Sequence, residues 1–580
     1  MPRRPLTRPT KKNTAITYLP AYLHCLLLFK SSLFIYTSAI LFSILTFSNL
    51  CQSLVLFLYS AKCYPTERLD LWVQTYRPHL QLSFTLVSFP VLSGLVLLFL
   101  LSFSGMIAMW FTDAFDNIIF SKLAIVPDSD SYYMWVKPSP KPYFKVYIFN
   151  YTNVPEFESK EADKLNVKEL GPYVYEVSLD RVNVRFNGSQ VTYQERRVLK
   201  FMPHMSNGRR QNDRLVVPNI PLFSAAAVNK HSTYLGRVGL SGLLNSLNAK
   251  PFLTMPAHRF IIGYEDNLYS LSKSYMKFRN QKPLERFGLM SGNVGVREDV
   301  LTIDTGLNDI NKLGIVDEVN GESSLKHWST AECNNFNDAT DGTIFSPKKI
   351  RNKRPVQYYY KEMCRAIPLY FEKEVKILNG KIPAYRYHIP DTIYDTPDKT
   401  PENQCFCDLD LGECPLQGVF NATPCAFGAP VFFSFPHFYN ADPALREAVT
   451  GLNSTVDYKS YMDLHPTLGF VMAGKTRTQV NIQVAKSFGI SQVNMFEDGL
   501  MLPVAWIEFT LEDKTLPEDM VGIIFQTTFT VKSIELGLKY GSLLLTAVTL
   551  FGILLVLRNK WINRERTSSI RPLQRTEESV

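Results

Sequence analysis

Residues 405–425, CFCDLDLGECPLQGVFNATPC, hold four of the nine cysteines of the chain and a glycosylation acceptor at Asn421. Cys333 and Cys364 lie upstream, so six cysteines fall between the hydrophobic ends of the chain. An even number of cysteines beside glycosylation acceptors is typical of disulfide-bonded proteins in a luminal or extracellular compartment. Because one residue separates Cys405 from Cys407, zinc-ligand spacing fits less well. The segment predicts disulfides.

The net charge of +9 is concentrated at the two ends of the chain. Residues 1–16 carry five basic side chains, and residues 558–580 carry six basic and three acidic ones. The excess therefore flanks apolar runs, as membrane topology requires. This distribution does not indicate nucleic acid as a partner.

Two uncharged segments predict membrane-spanning helices. Residues 80–112 exceed the roughly 20 residues that a helix needs to cross a bilayer. The second helix is assigned to residues 539–557, and four basic residues follow it between positions 558 and 566. The tail, residues 558–580, is therefore expected in the cytosol.

Four Asn-x-Ser/Thr acceptors lie between these helices. They are Asn150, Asn187, Asn421 and Asn453. Glycosylation occurs on surface positions of secreted or luminal segments. Residues 113–538 are therefore predicted to form a disulfide-bonded, glycosylated extracellular domain that is anchored at both ends.

Residues 1–79 fit this topology less well. The 31–60 stretch is uncharged and long enough to span, yet a third crossing would put the basic N-terminus outside. It is also too long and too late in the chain for an ordinary signal peptide. It could form an intramembrane hairpin with Lys30 near one end. We favour a non-essential extension or an artefact of the start-site assignment.

The region between the helices combines strand and helix patterns. Alternating apolar residues flank Asn187-Gly188, which predicts a β-hairpin. Between residues 219 and 277 the apolar positions follow helical spacing, which predicts two or three short helices closing around Pro251. The predicted fold class is α+β, mostly antiparallel sheet with an inserted helical group.

Two surface features each allow two interpretations. Leucines at positions 235, 240, 243, 244 and 247 are typical of helix packing, and they also allow an exposed surface for a partner. Residues 348–354, KKIRNKR, are typical of a solvated loop. They also allow an electrostatic contact with anionic lipid or an acidic protein.

The sequence contains no convincing enzyme or cofactor motif. Residues 469–476, GFVMAGKT, match the P-loop pattern, but TRTQVNIQV follows them and alternates as a strand instead of opening a helix. HExxH, GxSxG, GxGxxG and zinc-finger spacings are absent from the sequence. We expect no enzyme activity, no cofactor and no metal.

Several short motifs together resemble the class B scavenger receptor family. They are ELGPYVY (169–175), NSL (245–247) followed by GYED (263–266), IPAYRY (382–387), CFC (405–407), SFPHF (434–438), TLGF (467–470) and QVNIQV (479–484). Their order, together with a hydrophobic segment at each end, carries the resemblance, which covers roughly residues 80–560.

The resemblance implies an antiparallel β-barrel-like domain with an apical helical bundle at 219–277 and an internal hydrophobic tunnel. It implies lipid partners (fatty acids, sterols, carotenoids) or lipoproteins and lipid transfer to the membrane; homo-oligomers are compatible with it. The alternative is a protein-binding, lysosomal trafficking receptor that uses the apical helices. The tail lacks an acidic-dileucine signal, so we expect the plasma membrane, with the lysosomal membrane as the alternative. Residues 1–79 depart from the family pattern.

The resemblance also implies particular site residues. Carried over by order, the family's disulfides pair Cys333 with Cys405, Cys364 with Cys425 and Cys407 with Cys414. A family lysine near the NSL motif contributes to ligand capture at the tunnel entrance. Lys250 is its counterpart here, although the NSL–GYED spacing is about four residues shorter than in some members.

Overall fold

The computed structural model describes residues 69–574, except for 279–281, 408–413, 454 and 456–457. For residues 69–89 and 566–574 it describes the backbone alone. The predictions for the 31–60 stretch and for Lys30 lie outside the described residues. The chain divides into two compact units, and one of them is Leu101–Thr546.

Among the described residues, the second unit combines 69–100 with 547–574. It is built from parts of two long helices, Leu69–Phe111 (α1) and Lys532–Gln574 (α12). A Cβ atom added to Gly552 would lie 3.5 Å from Cδ2 of Leu95. The two helices therefore touch at this glycine.

Shorter helices belong to the larger unit. They are Ala114–Ser121 (α2), Asp130–Val136 (α3), Val154–Glu158 (α4), Ile220–Val228 (α5), Tyr234–Ser246 (α6), Ala257–Ile262 (α7), Asn267–Phe278 (α8), Pro347–Arg351 (α9), Pro443–Glu447 (α10) and Glu518–Phe525 (α11). A π-helical turn, Gln526–Val531, joins α11 to α12.

The strands of the larger unit follow in chain order. They are Tyr143–Tyr151 (β1), Leu165–Asn187 (β2), Gln190–Phe201 (β3), Arg214–Pro218 (β4), Phe252–Pro256 (β5), Gly295–Val296 (β6), Leu301–Asp304 (β7), Val316–Val319 (β8), Ala339–Thr340 (β9), Val356–Tyr360 (β10), Arg365–Ile377 (β11), Ile382–His388 (β12), Val419–Asn421 (β13), Val431–Ser434 (β14), Val449–Thr450 (β15), Tyr461–Leu464 (β16), Val471–Gln483 (β17) and Met501–Leu511 (β18).

In the described part of the chain, sixteen of these strands form one sheet. Its main path runs β8-β7-β3-β2-β1-β18-β17-β16-β12-β11-β10-β9. Neighbours pair antiparallel except β9 with β10 and, off the path, β15 with β2. A bridge between Ile315 and Thr340 joins the two ends of the path. The predicted α+β class with a barrel-like antiparallel sheet is confirmed.

The hairpin predicted at Asn187-Gly188 is present. Strands β2 and β3 pair from Tyr175–Phe201 to Asn187–Gln190, and Gly188 has a φ of +61°. A glycine reaches this backbone conformation without the steric cost that other residues meet. The alternating sequence on both sides therefore forms the β2–β3 pair.

The helical group, here residues 219–278, differs in detail from the prediction. It contains four short helices, α5 to α8, rather than two or three. The chain does not continue as helix after Pro251 but forms β5, which pairs with β4. A local pattern could not show this, because the pairing partners lie 34 to 42 residues earlier, in the register Pro256–Arg214 to Phe252–Pro218.

The largest buried cluster joins the sheet to the helical group. Phe496 belongs to this cluster, and its ring centroid lies 5.7, 5.6 and 6.1 Å from those of Phe157, Phe223 and Phe252. Burial of one such ring stabilises the fold by about 1.5–3 kcal/mol. The ring of Tyr151 in β1 lies 4.9 Å from Phe252, so aromatic contacts link the helical group to the sheet.

Candidate functional site

The helical group carries an exposed apolar surface. Leu235 is 80% exposed and Phe488 is 78% exposed. The ring of Tyr234 stacks on Phe488 at 5.7 Å, and Nε of Arg237 donates to the carbonyl of Phe488 at 2.8 Å. Exposed large apolar residues that are held in fixed positions are suited to bind a lipid or a protein surface.

Helix α6 is fixed below this surface by both apolar and polar contacts. Leu244 is fully buried, whereas Leu235 and Leu243 on the same helix are exposed. Oγ of Ser241 lies 2.9 Å from Oγ of Ser491, and Gln492 donates to Oδ1 of Asn245 at 2.7 Å. Both leucine interpretations therefore apply, since one helix uses some leucines for packing and exposes others.

Lys250 lies between α6 and β5 and is exposed. Its carbonyl accepts a hydrogen bond from Nδ2 of the buried Asn219 at 2.9 Å, and the next carbonyl, of Pro251, accepts one from the Asn219 amide. No ion pair of the Lys250 ammonium occurs among the described residues. The backbone is fixed and the charge is available to an anionic ligand.

One face of the central sheet carries a row of ionised side chains. Nζ of Lys145 lies 3.2 Å from Glu508, and Nε of Arg477 lies 2.7 Å from the same carboxylate, so the row crosses β1, β18 and β17. Burial opposes ionisation of Glu508, but Arg477 and Lys145 outweigh it and lower the pKa of this carboxyl. Arg386 of β12 makes two bonds of 2.8 Å to Asp463 of β16. The row ties neighbouring strands together by charge.

A second polar cluster lies around Glu169. Its Oε2 atom accepts from Nε1 of Trp506 at 2.7 Å and lies 2.6 Å from Nε2 of the buried His437. The Trp506 ring stacks on Tyr147 at 3.8 Å with an angle of 3°. A Cβ added to Gly171 would lie 2.7 Å from Cδ1 of Tyr147, so glycine is required there for this stack.

The burial of Tyr147 has an electrostatic consequence. Desolvation, followed by the charges of Glu508 and Glu169, raises the pKa of the Tyr147 hydroxyl to about 12. This tyrosine is therefore neutral at every physiological pH. It contributes a hydrogen-bonding group and an aromatic face rather than a titrating one.

The cysteine-rich segment forms a compact aromatic cluster. The structure joins Cys333 to Cys405, Cys364 to Cys425 and Cys407 to Cys414. The rings of Phe406 and Phe420 contact Trp328 at 5.0 and 5.5 Å, and the guanidinium of Arg365 lies 4.0 Å from the Phe406 centroid. Burial lowers the pKa of Arg365 to about 10.

This cluster does not form a metal site. Among the described residues, His327, Cys364 and Cys425 are the one group of potential ligands that lie within reach of each other. Both sulfurs belong to a disulfide, and Nδ1 of His327 hydrogen-bonds to the carbonyl of Pro424. Thiolates are the species that bind zinc, so this trio lacks the required donors.

Two described helices are long and apolar enough to cross a membrane. They are Pro90–Phe111 and Glu518–Glu565. Within the larger unit, Trp110 donates to the carbonyl of Lys539 at 3.1 Å, and its ring meets Tyr540 edge-on at 5.7 Å. Trp, Tyr and Lys are enriched where membrane helices meet water. The ends of the two helices are therefore joined by residues of the interfacial type.

The CD36 family model matches residues 93–557, which extend from the first of these two helices into the second. The chain belongs to the CD36 family. Scavenger receptor class B member 1 of Rattus norvegicus is 32% identical over 394 residues, which cover 67% of this chain and 74% of the relative. Lysosome membrane protein 2 of Mus musculus is 29% identical over 458 residues, which cover 77% of this chain and 91% of the relative.

The resemblance drawn from the motifs is thereby confirmed, and the protein is a class B scavenger receptor of the membrane. Members of this family are receptors, which supports a receptor rather than an enzyme. The three disulfides of this receptor join the same pairs that the resemblance implies. The P-loop match is a coincidence, because Val471–Gln483 is a strand.

The four glycosylation acceptors of this class B scavenger receptor differ in exposure. Asn187 and Asn453 are exposed, whereas Asn150 and Asn421 are half-buried. Oδ1 of Asn150 in β1 accepts a hydrogen bond from the amide of Val216 in β4 at 2.8 Å. The side chain of Asn150 thus has a structural role in linking β1 to β4.

The basic segment 348–354 is not simply a solvated loop. Its first part is helix α9, and four of its cations have carboxylate partners. The pairs are Lys348–Asp113, Lys349–Asp338, Arg351–Asp116 and Lys353–Glu374. Because the receptor neutralises these charges itself, the segment has little free charge for anionic lipid.

The contacts within these clusters could not be predicted from the sequence, although the motifs at 169–175 and 434–438 contain Glu169 and His437. Glu169, His437 and Trp506 come from three distant segments, and no spacing connects them. Trp506 and Glu508 alternate in β18 and therefore share a face. That alternation is a sequence signal that connects the Glu169 cluster to the ionic row.

Proposed function

We propose that this class B scavenger receptor binds lipids or lipoproteins at the cell surface and passes lipid through a tunnel in the larger unit to the membrane. The proposal is carried by one observation. In sequence, a barrel-like sheet lies between two helices able to cross a membrane, in a chain of the CD36 family. A protein with this order of elements is suited to move apolar cargo between particle and bilayer.

The physical requirement for such a protein is strong. Each methylene group that leaves water gains about 0.8 kcal/mol, so lipid monomers are almost absent from the aqueous phase. A conduit with apolar walls removes this barrier. The exposed apolar surface around Leu235 and Phe488 supports ligand capture at the helical group.

A double-labelled particle tests the proposal. Cells that express the full chain receive lipoprotein with one label on its protein and another on a fatty acid, sterol ester or carotenoid. We expect uptake of the lipid label to exceed uptake of the protein label. Equal uptake of both labels would contradict transfer, because it indicates internalisation of whole particles.

The second candidate is a protein-binding receptor that traffics to the lysosome. The same exposed surface favours it, since Leu235 and Phe488 could bind a protein partner. The lysosome membrane protein 2 relative covers 77% of this chain. Under this alternative, the double variant Leu235→Ser/Phe488→Ser abolishes delivery of a protein partner to the lysosome. In the wild type, uptake of the lipid label does not exceed uptake of the protein label.

A further inference from the structure

The antiparallel strand pair β4–β5 brings four arginines to one end of the helical group. Arg214 begins β4 and pairs with Pro256 at the end of β5. The amide of Ala257 donates to the carbonyl of Asp213, and the amide of His258 donates to that of Gln211. The loop with Arg209 and Arg210 therefore lies against the start of α7, which carries Arg259. We call Arg209, Arg210, Arg214 and Arg259 the arginine patch.

The arginine patch has almost no internal charge compensation. Arg210, Arg214 and Arg259 are exposed, and none of them has an ion pair among the described residues. Segments 199–214 and 251–263 contain one carboxylate, Asp213. It accepts from the Tyr173 hydroxyl at 3.0 Å and lies 3.7 Å from Arg209. The four arginines together with Asp213 therefore carry a net charge of +3 at pH 7.

The backbone holds the patch in a fixed arrangement. Asn207 and Gly208 have positive φ values, +47° and +77°, and turn the chain directly before Arg209. The amide of Arg209 donates to the carbonyl of Ser206, and the amide of Arg210 donates to Oδ2 of Asp213 at 3.2 Å. A ligand would therefore meet charges whose main chain is already ordered.

The chemistry of the patch favours a polyanion over a lipid surface. The guanidinium fork binds tetrahedral and planar oxyanions through two parallel hydrogen bonds. A protein segment that lies on a bilayer buries apolar side chains beside its basic ones. Segments 199–214 and 251–263 expose no large apolar residue. The patch has the charge but lacks the apolar anchors.

We propose that the arginine patch binds a sulfated polysaccharide of the heparin type. This site is separate from Lys250, which lies near the opposite end of the β4–β5 pair, where Pro218 pairs with Phe252. At about 3.4 Å per strand residue, the two ends are roughly 14 Å apart. The proposal does not depend on lipid transfer.

Heparin chromatography of the full chain in detergent tests the proposal. The variant Arg210→Gln/Arg214→Gln/Arg259→Gln removes three charges and spares Arg209, which pairs with Asp213. The control Arg196→Gln/Lys326→Gln/Lys353→Gln removes the same charge from exposed ion pairs elsewhere. Both variants keep the basic segments at the chain ends, so heparin binding by those segments is the same in each.

We expect the patch variant to elute at clearly lower salt than the wild type and the control. The slope of log affinity against log salt should fall by roughly 0.7–0.9 for each arginine removed. Equal elution of variant and control, with both proteins folded by circular dichroism, would overturn the proposal. A variant that binds heparin like the control but loses binding to phosphatidylserine vesicles would overturn it in favour of a lipid surface.

Discussion

Nε2 of His437 lies 2.6 Å from Oε2 of Glu169, which joins β2 to a loop 268 residues later in the chain. Nδ1 of His437 accepts a hydrogen bond from the amide of Asn453 at 2.9 Å. Because Nδ1 is an acceptor, the ring proton sits on Nε2 and is donated to Glu169. This half-buried contact connects a loop, a strand and the Asn453 glycosylation acceptor.

Loss of the Glu169 charge should destabilise the fold. In Glu169→Gln, the acceptor shared by His437 and Trp506 becomes a neutral amide, and hydrogen bonds to charged groups contribute about 1.5–3 kcal/mol. We expect a clear fall in the unfolding temperature by calorimetry. The control Glu322→Gln, from an exposed pair with Lys326, should change it little. Equal unfolding temperatures for Glu169→Gln and wild type would contradict the assigned role.

Protonation of His465 should reduce stability in acid. Its Nδ1 accepts from the amides of Thr467 and Leu468, so its Nε2 donates to Thr528 in the π-helical turn. Burial lowers the pKa of His465 to about 4. Below pH 6.5 the unfolded chain gains a proton that the folded one does not, so stability is lost as pH falls from about 6.5 to 4. A shift of this size corresponds to about 3 kcal/mol.

Thermal unfolding at pH 7.5 and 4.5 measures this effect. His465→Gln should be less stable at pH 7.5 and should lose less stability between the two values. The exposed His231 provides the control, since His231→Gln should retain the wild-type difference. If His465→Gln shows the full wild-type loss in acid, the effect belongs to other groups.

Non-reducing peptide mapping should find the three disulfides of the structure. Cysteine pairs that close long loops restrict the unfolded chain most. Cys364→Ser/Cys425→Ser, which opens a loop with a separation of 61, should cost roughly 4 kcal/mol. Cys407→Ser/Cys414→Ser, with a separation of 7, should cost about 2–3 kcal/mol. A peptide joining Cys405 to Cys407 would rule out this pairing.

Charge reversal at Lys250 tests its predicted role in ligand capture. Lys250→Glu should weaken binding of anionic lipid or lipoprotein, because an exposed ammonium with a fixed backbone becomes a carboxylate. Lys250→Arg should retain most of the affinity, and unfolding temperatures should stay nearly equal. Binding measured at low and physiological salt decides the question. Unchanged affinity of Lys250→Glu in both conditions would leave Lys250 as an ordinary surface lysine.

The glycosylation acceptors should contribute unequally to the mass removed by a glycosidase. Asn187→Gln and Asn453→Gln should each remove one glycan, because both side chains are exposed. Asn150→Gln should change the glycan mass least, since its side chain is half-buried and bonded to Val216. Mass spectrometry of each variant gives the outcome. A fully occupied Asn150 would show that glycosylation precedes this contact.

The sequence predicted local features well. Alternation around Asn187-Gly188 was sufficient for the β2–β3 hairpin, because a two-residue turn and its strands depend on neighbours in the chain. The motif order identified the family. Residues 252–256 were not recognised as a strand, because β5 depends on β4 for its hydrogen bonds.

The polar clusters depend on contacts that no local pattern contains. Glu169 and His437 meet only after the sheet has formed, and the arginine patch needs the β4–β5 register to bring Arg259 beside Arg210. The cations of residues 348–354 find carboxylates up to 235 positions away. The sequence alone allows an electrostatic docking surface here, whereas in the structure these cations form ion pairs within the chain.

The bridge between Ile315 and Thr340 has a consequence for receptors that are crowded on one membrane. An open sheet offers its outer strands as templates for pairing with a neighbouring copy, which leads to aggregation. Here the outer strands β8 and β9 are four and two residues long, and the bridge occupies the space between them. Copies of this protein can therefore reach high local density without sheet-to-sheet growth along this seam.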